Sequence, residues 1–164
     1  MVIALFIGRF QPFHKGHLSA IRQILRKVDK IVICVGSSKK AGVKGNPFTF
    51  EERFKMIEET LVSLDIGGYT IFPIPDVPND KKWVEHVKVL VPKFDVVYTG
   101  NKWTERCFKR KYKIKRVNIL KGVSATIIRN KILKNKDWQK LVPKEVVEFI
   151  SKIKGVARVK RIWK

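Results

Sequence analysis

Two unbroken apolar runs, each ending at a glycine, mark the beginning of the chain. They cover residues 2–7 (VIALFI), followed by Gly8, and residues 30–35 (KIVICV), followed by Gly36. Unbroken apolar runs are typical of strands buried on both faces of a parallel sheet. Between the two runs, apolar residues recur at helical spacing: Leu18, Ile21, Leu25 and Val28. The pattern predicts strand, helix and strand.

The same alternation continues to Gly100. Thr49 and Glu52 have the spacing of a capping box and predict a helix start, and residues 69–74 predict a strand. Asp80 is expected to cap the next helix, and the apolar run at residues 95–99 predicts another strand before Gly100. Alternating strands and helices indicate an α/β fold with right-handed crossovers. We therefore expect a Rossmann-like, doubly wound parallel sheet.

The last third of the chain has a helical pattern. Ser124 precedes one predicted helix, Pro143 is expected in the first turn of another, and Gly155 is expected to end it. Before them, residues 111–116 alternate charged and apolar side chains, which predicts an exposed strand with one solvated face. We expect a single domain over residues 1–164, with an α/β core at 1–120 and a helical part at 121–164.

The charge of the chain is unusual and unevenly distributed. Its 36 Lys and Arg residues against 14 Asp and Glu give a net charge of +22. Residues 1–100 hold 15 basic and 10 acidic residues, whereas residues 101–164 hold 21 and 4. Such a field attracts phosphorylated ligands and favours incidental contact with nucleic acid. It also opposes self-association, so we expect any oligomer to be sensitive to salt.

Composition excludes several classes of protein. With 45% hydrophobic residues in separate segments, the chain fits neither a disordered protein nor one that spans a membrane. The short apolar start has no basic region before it and no cleavage site after it, as an export signal would require. Cys34 and Cys107 have neither metal-ligand nor disulfide spacing. We expect a cytoplasmic protein.

The turn after the first predicted strand concentrates the candidate chemistry. Residues 8–17 read GRFQPFHKGH and lead directly into the first predicted helix. The amino terminus of a helix attracts anions. His14 and His17, three residues apart, can face one anion, Gly16 allows close approach, and Arg9 can bind a phosphate through two N–H groups. This turn is interpreted as a phosphate site with two imidazole donors.

Two other interpretations of the histidines stay open at this point. A lone H-x-x-H pair near a helix start is more often a pair of surface residues. Histidine pairs also bind zinc, but no third ligand lies at a useful spacing. The flanking strand and helix favour the phosphate site.

Residues 8–17 resemble the signature of nucleotidylyltransferases with an HxGH motif, in the form typical of the archaeal nicotinamide mononucleotide (NMN) adenylyltransferases. The second signature of that family, S-x-T-x-x-R, is matched by residues 124–129 (SATIIR). Further matching positions follow in the expected order: Asn46-Pro-Phe-Thr49, Arg53, Ile74-Pro75, Trp83-Val84, Tyr98, Gly100-Asn101, Asp137-Trp138, residues 141–143 and Gly155-Val156.

The resemblance implies adenylyl transfer from ATP to NMN, which produces NAD and pyrophosphate in NAD biosynthesis. It implies catalytic roles for His14 and His17 at the α- and β-phosphates and for Arg129 at the β- and γ-phosphates. No protein nucleophile or protein-bound metal is implied, since Mg²⁺ is carried by the ATP phosphates. Other residues implied to bind ATP are Gly8, Arg9, Phe10, Gly16, Gly100, Asn101, Ser124 and Thr126.

The same resemblance implies an NMN pocket formed by Trp83, Asn79 and Gly36. Trp83 would stack on the nicotinamide ring, although its helical spacing also fits a core residue. Asn79 would contact the carboxamide, one residue further from Trp83 than the family pattern. The chain also departs from the family at residues 36–39 (GSSK) and 100–102 (GNK), which changes details of the pocket.

Two alternative functions remain beside this one. A sister nucleotidylyltransferase with another phosphorylated acceptor, or with CTP as donor, would have the same phosphate site. A basic nucleic-acid-binding protein with the same fold would explain the charge of residues 101–164, although they carry none of the usual recognition motifs. Homo-oligomers are common in the family and are expected here.

Overall fold

The computed structural model describes residues 1–164 and contains five strands, seven α-helices and one short 3-10 helix. The strands are β1 (Ile3–Gly8), β2 (Lys30–Gly36), β3 (Tyr69–Ile74), β4 (Val96–Thr99) and β5 (Lys113–Arg116). The helices are α1 (Lys15–Leu25), α2 (Phe50–Ser63), α3 (Asp80–Leu90), α4 (Lys102–Phe108), α5 (Ala125–Leu133), α6 (Lys144–Lys152) and α7 (Gly155–Trp163), with the 3-10 turn at Gln139–Leu141.

All five strands are parallel and lie in the order β3-β2-β1-β4-β5. The central β1 pairs with β2 on one side and with β4 on the other, so that Leu5 stands opposite both Val32 and Val97. The order of the strands therefore reverses beside β1, and in open α/β sheets ligands bind at the carboxyl ends of strands near such a reversal. The predicted Rossmann-like α/β fold is confirmed.

The chain forms two compact units. The sheet unit comprises residues 1–8, 20–38 and 68–119, and the helical unit comprises residues 9–19, 39–67 and 120–164. The core of the sheet unit is a cluster of apolar side chains from the strands and from α3 and α4: Leu5, Val32, Cys34, Ile74, Trp83, Val84, Val87, Val91, Phe94, Val97 and Phe108.

In the helical unit, α6 packs on α2, and α7 packs on both α5 and α6. A half-buried ion pair supports this packing, because Arg158 Nη1 lies 2.6 Å from Glu52 Oε2. Gly155 allows the chain to pass close to its neighbours, since a Cβ there would stand 3.0 Å from Ile150 Cγ2 and from Phe48 Cε1. The small residue is thus required by packing.

The structure corrects two of the predicted helix boundaries. Asn79, and not Asp80, caps α3, because Asn79 Oδ1 accepts from the backbone N–H of Lys81 at 2.9 Å. Gly155 does not end a helix but begins α7, after Lys154 has reversed the chain with a left-handed φ of 55°. The capping box predicted at Thr49 and Glu52 is confirmed.

The predicted strand within residues 111–116 is β5, which lies at the edge of the sheet. Helix α4 and a separate α7 were not predicted. None of the helices is long and apolar enough to cross a membrane.

Candidate active site

The loop that follows β1 is held by buried polar groups. Gln11 is 1% exposed and exchanges two hydrogen bonds with Phe48: its Nε2 donates to the Phe48 carbonyl, and its Oε1 accepts from the Phe48 N–H, both at 2.9 Å. Buried Arg53 donates from Nη1 to the Arg9 carbonyl at 2.8 Å and from Nε to the Thr49 carbonyl at 3.0 Å. These contacts hold the backbone of residues 9–11 in place. Arg53 lies at a position of the family pattern, whereas no local sequence pattern indicates the role of Gln11.

His14 and His17 form a reciprocal pair at the start of α1. The backbone N–H of His14 donates to His17 Nδ1 at 3.2 Å, and the backbone N–H of His17 donates to His14 Nδ1 at 3.3 Å. The two rings stack with centroids 3.6 Å apart. Because both Nδ1 atoms accept hydrogen bonds, each neutral ring carries its proton on Nε2. The pair therefore has two Nε2–H donors available for a ligand.

Burial keeps both imidazole rings neutral near pH 7. Desolvation lowers the pKa of His14 from 6.5 to about 4. The pKa of His17 is lowered well below 6.5, first by burial and then by the neighbouring His14. Phe10 and Phe13 contribute to the apolar surroundings, with ring centroids 4.6 Å and 5.7 Å from that of His17. In the free protein the pair can donate hydrogen bonds to an anion without carrying positive charge.

The lowered pKa values predict that acid destabilises this protein through the histidine pair. Between pH 6.5 and about 4 the unfolded chain protonates His14 while the folded chain does not. The contribution of His14 to the free energy of unfolding therefore has its full value above pH 6.5. Below pH 6.5 this contribution falls by up to about 1.4 kcal/mol per pH unit. We expect urea midpoints measured from pH 7 to pH 4.5 to fall less steeply for His14→Gln than for the unaltered protein. Equal slopes would contradict the burial of a neutral His14.

Gly16 is required by the close approach of the His14 ring. A Cβ at Gly16 would stand 3.0 Å from His14 Cε1 and Nδ1, so Gly16→Ala must displace the ring that accepts from His17. We expect about a tenfold loss of catalytic activity with little change in melting temperature, because Ala is the better helix former. The matched control is Gly67→Ala, where the added Cβ meets nothing within 4 Å. Equal activity in both variants would show that the ring position is unimportant.

Arg129 reaches the same loop from α5. Its Nη1 donates to the Gln11 carbonyl at 2.8 Å, and its Nη2 lies 3.4 Å from Thr126 Oγ1. The residue is only 6% exposed, its Nε has no partner, and it forms no ion pair with a carboxylate. Burial, and then the nearby Arg9, lower its pKa. A buried cation with an unused donor and no acidic partner is suited to an anionic ligand.

Ser124, the first residue of the second motif, caps the helix that carries Arg129. Its hydroxyl accepts from the backbone N–H of Ile127 at 3.2 Å and caps α5. The helical unit thus brings together the predicted residues Arg9, Phe10, His14, Gly16, His17, Ser124, Thr126 and Arg129 in the loop after β1 and at the start of α5.

The remaining predicted residues belong to the sheet unit and show mainly structural contacts. Trp83 is 7% exposed, and its ring lies 4.6 Å from that of Trp103 and 5.4 Å from that of Phe108. Asn79 caps α3, and Asn101 caps α4 by accepting from the backbone N–H of Trp103 at 2.8 Å. Their roles toward a ligand stay predictions.

The three predicted glycines of this unit lie at or beside strand ends. Gly8 ends β1 and Gly36 ends β2, where Gly36 pairs with Ile74. Gly100 follows β4, and a Cβ there would stand 3.1 Å from Ile119 Cγ1. Close packing thus explains Gly100 without a ligand.

The fold and the histidine loop are those of a nucleotidyltransferase, and the cytidylyltransferase-like family profile matches residues 5–131. The nicotinamide-nucleotide adenylyltransferase of Thermoplasma volcanium is 42% identical to this chain, over 97% of this chain and 91% of the relative. The enzyme of the same name from Methanococcus maripaludis is 43% identical, over 97% of this chain and 94% of the relative. The enzyme of that name from Pyrococcus horikoshii is 40% identical over 99% of this chain and 89% of its own. The chain belongs to the nicotinamide-nucleotide adenylyltransferase family, as the sequence motifs predict.

A solved structure supports the same assignment. The bifunctional NMN adenylyltransferase/ADP ribose pyrophosphatase of Francisella tularensis, complexed with AMP and a manganese ion, superposes with a TM-score of 0.81 at 27% sequence identity. The match covers 98% of this chain and 51% of the bifunctional protein. The chain thus spans about half the length of that protein.

Proposed function

We propose that this protein transfers the adenylyl group of ATP to nicotinamide mononucleotide, forming NAD and pyrophosphate. The names of its relatives support the reaction. The site is assigned on the pair of neutral histidines whose Nδ1 atoms accept hydrogen bonds, together with Arg129, which donates to the Gln11 carbonyl of the same loop and has no carboxylate partner. Together they provide N–H donors for phosphate oxygens.

The chemistry requires charge stabilisation more than covalent catalysis. An oxygen of the NMN 5′-phosphate forms a bond to the α-phosphorus of ATP, and the bond from that phosphorus to the α,β-bridging oxygen breaks. Pyrophosphate leaves with the bonding electrons, so no protein nucleophile is needed. Both reactants are anionic and repel each other until donors hold them in line. The protein's task is to bind, orient and neutralise the phosphates.

Each residue of the helical unit has a distinct role in this proposal. His14 and His17 donate from Nε2 to oxygens around the α- and β-phosphates. Negative charge on the leaving pyrophosphate strengthens the bond from His17 and raises the pKa of its ring, because an opposite charge favours the imidazolium. Arg129 binds the β- and γ-phosphates through its free Nε–H and remaining donors, and Arg9 adds a second cation.

Further contacts to ATP are assigned to residues of the two family motifs and to the turn after β4. We assign the Ser124 and Thr126 hydroxyls, Phe10, Gly8 and Gly16 to ATP, and we place Gly100 and Asn101 beside its adenine. A divalent cation enters with the phosphates, and Mg²⁺ is the ion we propose. The manganese ion in the complex of the bifunctional Francisella tularensis protein is consistent with a divalent metal.

We assign Trp83, Asn79 and Gly36 to the NMN side of the reaction. Trp83 has an aromatic face suited to a positively charged nicotinamide ring. The Oδ1 of Asn79 is engaged in capping α3, which leaves its amide NH₂ to donate to the carboxamide oxygen. We also propose a homo-oligomer whose assembly weakens in low salt, because of the net charge of +22.

The test is pyrophosphate release from ATP and Mg²⁺ with a panel of acceptors. The panel contains NMN, nicotinic acid mononucleotide, phosphopantetheine and choline phosphate, with CTP as an alternative donor. We expect release with NMN and NAD as the product on chromatography. Release only with another acceptor or with CTP would assign the chain to a sister activity. No release with any pair, together with salt-resistant binding to RNA or DNA, would favour the nucleic-acid-binding alternative.

A further inference from the structure

The guanidinium of Arg129 has an aromatic neighbour on α7. Its Cζ lies 5.8 Å from the ring centroid of Trp163, within the range of a cation–π contact. Both residues belong to the helical unit, where α5 and α7 pack together. Trp163 lies outside both family motifs and was not a candidate site residue in the sequence analysis. Its contact with Arg129 calls for a physical explanation.

An aromatic face stabilises a buried guanidinium in a way that a carboxylate does not. A carboxylate would accept hydrogen bonds from the edge of Arg129 and would compete with phosphate for the same donors. An aromatic face beside the guanidinium carbon attracts the positive charge and accepts no conventional hydrogen bond from the N–H groups. Arg129 has no carboxylate partner, and its Nε is buried without a partner. The donors that Gln11 and Thr126 do not use therefore stay available.

The need for such a contact follows from the other surroundings of Arg129. Burial and the charge of Arg9 both disfavour the charged guanidinium. Only the 2.8 Å bond to the Gln11 carbonyl and the longer contact to Thr126 hold its edge in place. A long side chain with one strong hydrogen bond keeps rotational freedom that a bound phosphate would have to remove. The Trp163 ring beside the guanidinium reduces the rotational freedom of Arg129 before ATP binds.

We propose that Trp163 is a positioning residue for ATP binding, which packs against the buried guanidinium of Arg129 and orients it for the β- and γ-phosphates. The inference rests on the proposed function, because it takes Arg129 to bind these phosphates. It extends the site to α7, beyond the two motifs that define it in the sequence. Trp163 acts through Arg129 and does not touch the reacting atoms.

Four variants separate the aromatic face from simple packing. Trp163→Ala removes the ring, Trp163→Leu keeps apolar bulk without a π-system, and Trp163→Phe restores an aromatic face. The matched control is Ile162→Ala, which shortens a half-buried neighbour on the same turn of α7. Affinity for ATP with Mg²⁺ is measured by calorimetry without acceptor, and KM values for ATP and NMN are measured separately.

We expect the Ala and Leu variants to bind ATP about three- to tenfold more weakly and to show a matching rise in KM for ATP. The KM for NMN should stay unchanged, and Trp163→Phe should recover affinity to within about twofold of the unaltered protein. In an Arg129→Gln background, Trp163→Ala should cause no further loss, because the two residues act as one unit.

Several outcomes would overturn the inference. They are unchanged ATP affinity in Trp163→Ala, full affinity in Trp163→Leu, an equal loss in Ile162→Ala, or an undiminished loss in the Arg129→Gln background. Each is distinct from failure of the proposed function, which would appear as absence of NAD formation by the unaltered protein. A melting temperature for every variant identifies any that fails to fold, and if Trp163→Ala fails, the difference in ATP affinity between Trp163→Leu and Trp163→Phe carries the test.

Discussion

His17→Ala is expected to lower kcat for NAD formation at least a hundredfold. The substitution removes the Nε2–H donor assigned to the phosphate where charge grows in the transition state, and each tenfold loss corresponds to about 1.4 kcal/mol of barrier. It also removes Nδ1, which accepts from the backbone N–H of His14 at 3.2 Å. The measurement is the initial rate of NAD formation at saturating ATP and NMN.

Two further substitutions distinguish the functions of the two ring nitrogens. Asn at position 17 places its amide near the site of Nδ1, so His17→Asn keeps an acceptor for the His14 N–H but lacks the distal donor. Gln reaches further, and His17→Gln offers an N–H close to the position of Nε2. We expect His17→Asn to be as slow as His17→Ala and His17→Gln to recover part of the rate. The reverse order would show that His17 acts by holding the loop and not by donating to phosphate.

Arg129→Gln is expected to reduce kcat/KM for ATP about a hundredfold. The substitution removes a buried cation that has no carboxylate partner, and hydrogen bonds between ionised groups are about twice as strong as neutral ones. Arg129→Lys should be intermediate, because it keeps the charge but loses the planar arrangement of donors. The rate is measured as a function of ATP concentration at saturating NMN.

The control for this prediction tests whether any cation on α5 would have the same effect. Lys134→Gln removes one positive charge from an exposed position at the end of the same helix, and we expect kcat/KM to stay within about twofold. A comparable loss in Lys134→Gln would attribute the effect of Arg129 to the general field of the protein. Because Arg129 also donates to the Gln11 carbonyl, melting temperatures must show that Arg129→Gln remains folded at the assay temperature.

Local physics explains which parts of the fold could be predicted. β1, β2 and β4 were predicted because buried central strands need unbroken apolar runs. The cap at Thr49 was predicted because a capping box involves residues only three apart. His14 and His17 were found for the same reason, since the pair and the helix start lie within one short segment.

Helix boundaries were less predictable where tertiary contacts decide them. Gly155 has the local character of a helix stop, but in the structure it begins α7, where close approach of Ile150 and Phe48 leaves no room for a Cβ. Helix α4 has only seven residues, too few for a clear apolar period. Gly155 was misassigned because a contact with Phe48, which is distant in sequence, decides its role. Helix α4 was missed because it is too short to show a pattern.

The amino-acid sequence alone specifies the α/β fold, the family and the two motifs, because each depends on residues close together in the chain. The tertiary structure decides how these motifs become a site. Gln11 forms hydrogen bonds with Phe48, 37 residues away, and Arg129 donates a hydrogen bond to Gln11, 118 residues away. The neutral state of the histidines and the ring of Trp163 over Arg129 also exist only after folding. Burial and long-range contacts set these properties, and neither has a local sequence pattern.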